Sequence, residues 1–338
     1  MLNILSGVVA ILLWVPFGII GWLGYGIDAF KKIDWQIKEP GIVYSVKQVE
    51  SLALNATSTY IFVLNELKPR YLRLIAYWDR IEKQAGQYDF QELDFLMKQA
   101  ENQGIKTTLV IGLKVPRWPE CHSPDWVKQL SGQSQEDKVL FEYLEAVVKR
   151  YQKSPALEYW QVENELFFKF GNCPNPSAKR LEAEISLVKS LDPAHPIVIT
   201  GSGEASTWVR AFLKGDLVGI SLYRQAVFLT SWFSWRLNYP LPPLFYGYKA
   251  KLMTWFFRKP LMITELQLEP WFDSDLKQVL VSSQTRVLPL TKFQKTIKYA
   301  AQTRISRVYF WGVEWWYWLN QQGVSDYWQY VKQTVFKN

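Results

Sequence analysis

Residues 157-LEYWQVENEL-166 run mostly apolar for a strand's length and then break into Glu163, Asn164 and Glu165. A later segment, 261-LMITELQLEPW-271, repeats the pattern and delivers Glu265. Short apolar runs bounded by polar residues are what strands buried on both faces look like. Six more lie around them: 41-GIVYSV-46, 71-YLRLIAY-77, 106-KTTLVIGL-113, 196-PIVIT-200, 217-LVGISLY-223 and 306-SRVYFWG-312. Helical patterns separate them. In 89–104, Leu93, Leu96, Met97 and Ala100 form the apolar stripe, Asp89 and Glu92 are spaced as a capping box, and Gly104 stops the helix. In 136–152, Leu140, Leu144, Val147 and Tyr151 share a face. A third helix is expected from Asn175-Pro176, with Pro176 in its first turn and Leu181, Ile185, Val188 and Leu191 as its stripe.

Eight strands alternating with helices predict a (β/α)8 TIM barrel over residues 41–338. A doubly wound sheet is the alternative. The segment 200-TGSGEAS-206 is not a dinucleotide fingerprint, because it lacks the third glycine and follows the fifth strand. Residues 224–259 interrupt the rhythm with an aromatic, basic insertion. It is read as packing on the barrel, walling the cleft or touching a membrane.

The first 27 residues set another constraint. Residues 2–27 carry no charged side chain, long enough for a helix to cross a bilayer. A cleaved signal peptide would want a basic start and a small-x-small site. Neither is present before Asp28, so an uncleaved hydrophobic anchor helix at 1–27 is expected, joined to the barrel by a polar linker at 28–40. The lysines that follow (Lys31, Lys32, Lys38) argue for a cytoplasmic flank. An extracytoplasmic barrel is nonetheless the expectation adopted. The formal charge of +8 comes without a nucleic-acid motif or a long basic run, so no nucleic-acid partner is expected. The two cysteines, Cys121 and Cys173, follow consecutive predicted strands and are read either as a disulfide or as two free thiols.

In a parallel barrel the site forms where strands end. That rim is crowded here. Arg73 lies within the second strand, and Lys114, Trp118 and Glu120 follow the third. Glu163, Asn164 and Glu165 end the fourth, Glu204 follows the fifth and Tyr223 ends the sixth. Glu265, Gln267 and Glu269 follow the seventh, and Trp311, Glu314 and Trp315 the eighth. Two carboxylates on one rim, Glu165 and Glu265, are the minimum needed to cleave a glycosidic bond with retention. Glu163 has the same parity as Glu165 and is its rival.

The segments 71-YLRLIAYWDRIEKQAGQYDFQELD-94 and 160-WQVENEL-166 resemble the clan of retaining glycoside hydrolases built on a (β/α)8 barrel, cellulase-like and β-galactosidase-like, over roughly residues 40–335. The resemblance implies Glu165 as acid/base and Glu265 as nucleophile. It implies that Arg73 and Tyr223 support the nucleophile, that Asn164 meets the sugar 2-hydroxyl, and that Trp311 or Trp315 floors the sugar. Trp118, Lys114, Glu204 and Gln267 are further substrate-binding candidates. Many cellulase-like members carry a histidine after the third strand; His122 comes later here. The expected activity is retaining hydrolysis of β-glycosidic bonds, with a carbohydrate substrate, no metal and no cofactor. The expected carboxyl separation is about 5–5.5 Å. A transglycosidase and a catalytically silent glycan-binding barrel are the alternatives.

Overall fold

Eight short runs rich in Val, Ile, Leu and aromatic residues form eight parallel strands, each buried on both faces. The computed structural model describes residues 36–204, 206–229 and 234–337. The barrel strands are β1 (Glu39–Val43), β2 (Tyr71–Ile75), β3 (Lys106–Ile111), β4 (Leu157–Val162), β5 (Ile197–Gly201) and β6 (Leu217–Leu222). A two-stranded antiparallel hairpin follows, β7 (Gln225–Leu229) and β8 (Ser234–Asn238), and the barrel ends with β9 (Leu261–Gln267) and β10 (Arg307–Trp311). The barrel closes in the order β1-β2-β3-β4-β5-β6-β9-β10, with β10 back beside β1. All eight predicted strands are present, and the doubly wound alternative is excluded by the closure.

The helices lie between the strands as their stripes predict. Leu93, Leu96, Met97 and Ala100 are buried on the helix Gln91–Asn102. The helix Gln133–Tyr151 buries Leu140, Leu144, Val147 and Tyr151. Two details differ from expectation. The capping box does not form: Asp89 accepts from the Gln91 N–H at 3.0 Å, while Glu92 is drawn away to Arg80. The third helix begins at Ala178, two residues beyond Pro176, because Ser177 caps it by accepting from the Arg180 N–H at 3.1 Å.

The 224–259 insertion becomes the β7–β8 hairpin and a helix, Pro243–Phe257. That helix buries Leu244, Tyr246, Ala250 and Met253. The expected anchor at 1–27 and most of its linker lie outside the described residues. Among the described residues no helix is long and apolar enough to cross a membrane.

Candidate active site

Arg73 organises the rim from inside the barrel. Its strand carries it into the lumen, where it is fully buried. A buried guanidinium persists only if its donors find partners. Its Nε donates to Gln161 Oε1 at 2.8 Å, its Nη1 to Glu265 Oε1 at 2.8 Å and its Nη2 to Asn164 Oδ1 at 3.0 Å. One cation therefore ties β2 to β4 and, across the lumen, to β9. The second carboxylate oxygen of Glu265 accepts from the Tyr223 hydroxyl at 2.9 Å. Burial, and then the charge of Glu265, push Tyr223 well above its ordinary range, so it keeps its proton and stays a donor.

Glu165 reaches the same space from β4. The chain leaves that strand with Glu163 and Glu165 both in the left-handed region, at φ 61° and 44°. Such conformations cost of order 1–3 kcal/mol and persist only where surroundings hold them. Here they undo the strand's alternation, so the two glutamates part company. Glu163 turns back and accepts the N–H groups of Leu113 and Lys114, at 2.9 and 2.7 Å. It clamps the loop after β3, which removes it as a rival acid. Glu165 has its N–H held by Thr200 Oγ1 at 2.8 Å. Its carboxyl accepts from the Ser221 hydroxyl. Ser221 is the register partner of Glu265 on neighbouring strands, so the two carboxyl groups converge on one spot. Gly203 packs against this strand end, where a Cβ would lie 1.8 Å from the Ser221 carbonyl oxygen.

The two carboxyls sit in different fields. Burial first, and the charge of Glu265 second, push Glu165 up to about 7, against smaller opposing effects of Ser221, Lys114 and Arg73. Glu265 is held between a guanidinium and a phenol hydroxyl. A protonated acid beside an ionised carboxylate is the pairing that acid–base work on an ether oxygen needs.

The other expected residues divide. Asn164 lies in the Arg73 network, with Oδ1 also accepting from Gln161 at 3.2 Å. Its amide nitrogen faces Glu120 Oε2 at 3.5 Å, and burial pushes Glu120 well above the usual carboxylate range. Lys114 is a brace: its Nζ donates to the carbonyls of Glu165 and Phe168 at 3.1 and 2.7 Å. Glu204 accepts from the Tyr246 hydroxyl at 2.8 Å. Gln267 ends β9, half-buried, in register with Trp311. Trp311 gives its indole N–H to Glu269 at 2.8 Å, and the Arg117 guanidinium lies 4.0 Å over its ring. Trp315 is a correction. It is fully buried with its N–H on Gln284 Oε1 at 2.6 Å, because it falls within the helix Val313–Gln321 on the face packed into the core. It has no face to offer a sugar. His122 is bonded to the Arg117 carbonyl and buried.

Ser221, Thr200 and Gln161 were not foreseen. Ser221 had a signal: it precedes Tyr223 by two, so the strand puts both on one face. Cys121 and Cys173 are joined in a disulfide, with Cα atoms 5.3 Å apart, linking the loops after β3 and β4.

Against this geometry, the family model for glycoside hydrolase 42, described as beta-galactosidase, matches residues 55–181. The chain is similar to the barrel glycoside hydrolases. Mannan endo-1,4-beta-mannosidase F of Aspergillus fumigatus is 32% identical over 131 residues, 36% of this chain and 29% of that enzyme. The match thus spans less than a third of that relative's length. Among solved structures, GH5_18 from Streptomyces cattleya in complex with GlcNAc aligns with a TM-score of 0.57 at 12% identity, covering 82% of this chain and 71% of the other. The exo-beta-1,4-mannosidase Op5Man5 from Opitutaceae bacterium strain TAV5 aligns with a TM-score of 0.54 at 12% identity, covering 81% and 51%. At such identities the structural likeness speaks to the fold.

Proposed function

We propose that this chain is a retaining β-glycoside hydrolase using Glu165 and Glu265 in a double displacement. The observation that carries the reading is the asymmetric environment of the two carboxyls around one point: Glu265 between Arg73 and Tyr223, Glu165 half-buried with its carboxyl desolvated and raised to about 7. Glu265 attacks the anomeric carbon as the bond to the leaving oxygen breaks, and Glu165 passes its proton to that oxygen. Glu165, now a carboxylate, then takes a proton from water as the water's oxygen displaces Glu265 from the sugar. The shift from acid to base uses one carboxyl with a pKa near the working pH.

The mannosidase and galactosidase likenesses support a β-linked hexoside as substrate. The Cys121–Cys173 bond supports an oxidising, extracytoplasmic setting. The uncharged run at 2–27 supports attachment to a membrane there.

The test is covalent trapping. Wild type and Glu265→Gln are incubated with 2-fluoro-glycosyl fluorides of the gluco, galacto, manno and xylo series, then weighed intact and mapped. A single glycosyl adduct on Glu265, absent from the variant, is expected. A folded wild type that takes up none of the four sugars, yet still binds glycans, sinks the reading in favour of a silent binding barrel.

A further inference from the structure

Four aromatic rings stand over the mouth of the site. Trp118 comes from the loop after β3, Phe168 and Phe170 from the loop after β4, and Trp271 from the loop after β9. Phe170 stacks between Phe168 and Trp271, with centroids 6.2 and 5.4 Å away and planes within 18° and 24°. Trp118 meets Phe170 edge-on at 5.9 Å. Apolar burial cannot be why these rings are here. Trp118 is 63% exposed, Phe168 38% and Trp271 37%, whereas six other tryptophans are sealed in the core. Outside the β7–β8 hairpin, five Trp and Phe side chains of the described residues are exposed, and three belong to this group. The other two, Trp255 and Phe256, precede β9 and so stand toward the opposite end of the barrel. A contiguous exposed apolar patch at a cleft marks a binding surface. Flat rings offer large contact at low entropic cost, which suits the C–H face of a sugar.

The wall is rigid and its position has a direction. The Phe168 N–H donates to the Glu165 carbonyl at 2.8 Å, and Lys114 grips both carbonyls, so the wall hangs from the turn that carries the proposed acid. The Asn172 N–H donates to the Pro119 carbonyl at 3.0 Å, and the Cys121–Cys173 bond fixes the Trp118 loop to the Phe170 loop. A general acid stands beside the leaving oxygen, so rings hung from its turn lie on the leaving-group side. We propose that Trp118, Phe168, Phe170 and Trp271 bind sugar units of a polysaccharide beyond the scissile bond, so that the protein cuts within a chain of β-linked sugars. This rests on the catalytic reading above for its direction.

The test separates the two. The detergent-solubilised full chain is run in native gels containing β-1,4-mannan, β-1,4-galactan, xylan or hydroxyethyl cellulose, and its Glu265 labelling rate by 2-fluoro-glycosyl fluorides is measured alongside. Fluoride is the leaving group there, so no sugar occupies the wall. At least one polymer should retard the parent. Trp118→Ala with Trp271→Ala should weaken retardation at least tenfold, Trp118→Phe should keep it within threefold, and labelling should fall by a smaller factor than retardation does. The proposal is overturned if no polymer retards the parent, if the double variant binds like the parent, or if labelling falls as far as binding. Ring-dependent retardation without any labelling leaves the platform standing and removes the catalytic reading.

Discussion

Glu165 holds its proton to about pH 7 because its carboxyl is desolvated and because Glu265 faces it. A general acid works only while protonated, so kcat/KM for an unactivated β-glycoside should fall as pH rises through about 7. Far above that value the loss should approach tenfold per unit. A glycosyl fluoride, whose leaving group needs no proton, should lack this limb. Glu165→Gln should lower kcat/KM for the unactivated substrate by about 10²–10⁴ and leave kcat/KM for the fluoride far less affected. The Ser221 hydroxyl favours the ionised form, so Ser221→Ala should move the limb to higher pH. A pH–rate series on both substrates checks these points, and a basic limb of equal depth for the fluoride contradicts the assignment. The participants differ in how legible they are. Arg73 stands out as a charge in an apolar strand, and Asn164 and Tyr223 as polar ends of such strands. Glu163 misleads, since strand parity pairs it with Glu165 until two left-handed residues separate them. Trp315 misleads because a tryptophan's letter does not say which face of its helix meets the core.

The loops after β3 and β4 act as one unit, since the Cys121–Cys173 link closes over a sequence separation of 52. Replacing both cysteines with serine should lower stability by about 2–4 kcal/mol. Thermal melts of wild type with and without reductant should reproduce the difference, and the double variant should no longer respond to reductant. Gly171 lies in the same unit with φ 87°, and a Cβ there would sit 2.6 Å from Glu120 Cβ. Gly171→Ala should therefore distort the wall and lower the melting temperature too. Equal melting of Gly171→Ala and wild type would mean the loop adapts freely. All eight barrel strands were legible, because strands buried on both faces must be short apolar runs, whereas the β7–β8 hairpin inside the aromatic insertion was not. Helix starts were less so. Pro176 invites a start that Ser177 takes over, and the Asp89–Glu92 box loses Glu92 to Arg80, a partner on another element.

Over the whole molecule, an excess of buried carboxyls sets the response to pH. Burial raises Glu204 and Glu314 from 4.5 to about 7, and raises Glu120, Glu163 and Glu184 as well. Groups raised on folding hold their protons more tightly in the folded state. For Glu204 and Glu314 that contribution to stability is complete below about 4.5 and is lost as pH climbs through about 7, at up to roughly 1.4 kcal/mol per pH unit for each. The melting temperature should thus be higher near pH 5 than at pH 8, and a flat profile over that interval would contradict this account. The closed barrel also has a polarity. Parallel strands put Glu165, Tyr223 and the aromatic loops beyond their carboxyl ends, while Glu39, where β1 begins, lies at the other end beside Ser306. The described chain therefore enters the barrel at its floor, while the proposed sugar site lies at its roof. On the proposed reading, a polysaccharide of any length can cross the roof without meeting the end at which the described chain enters.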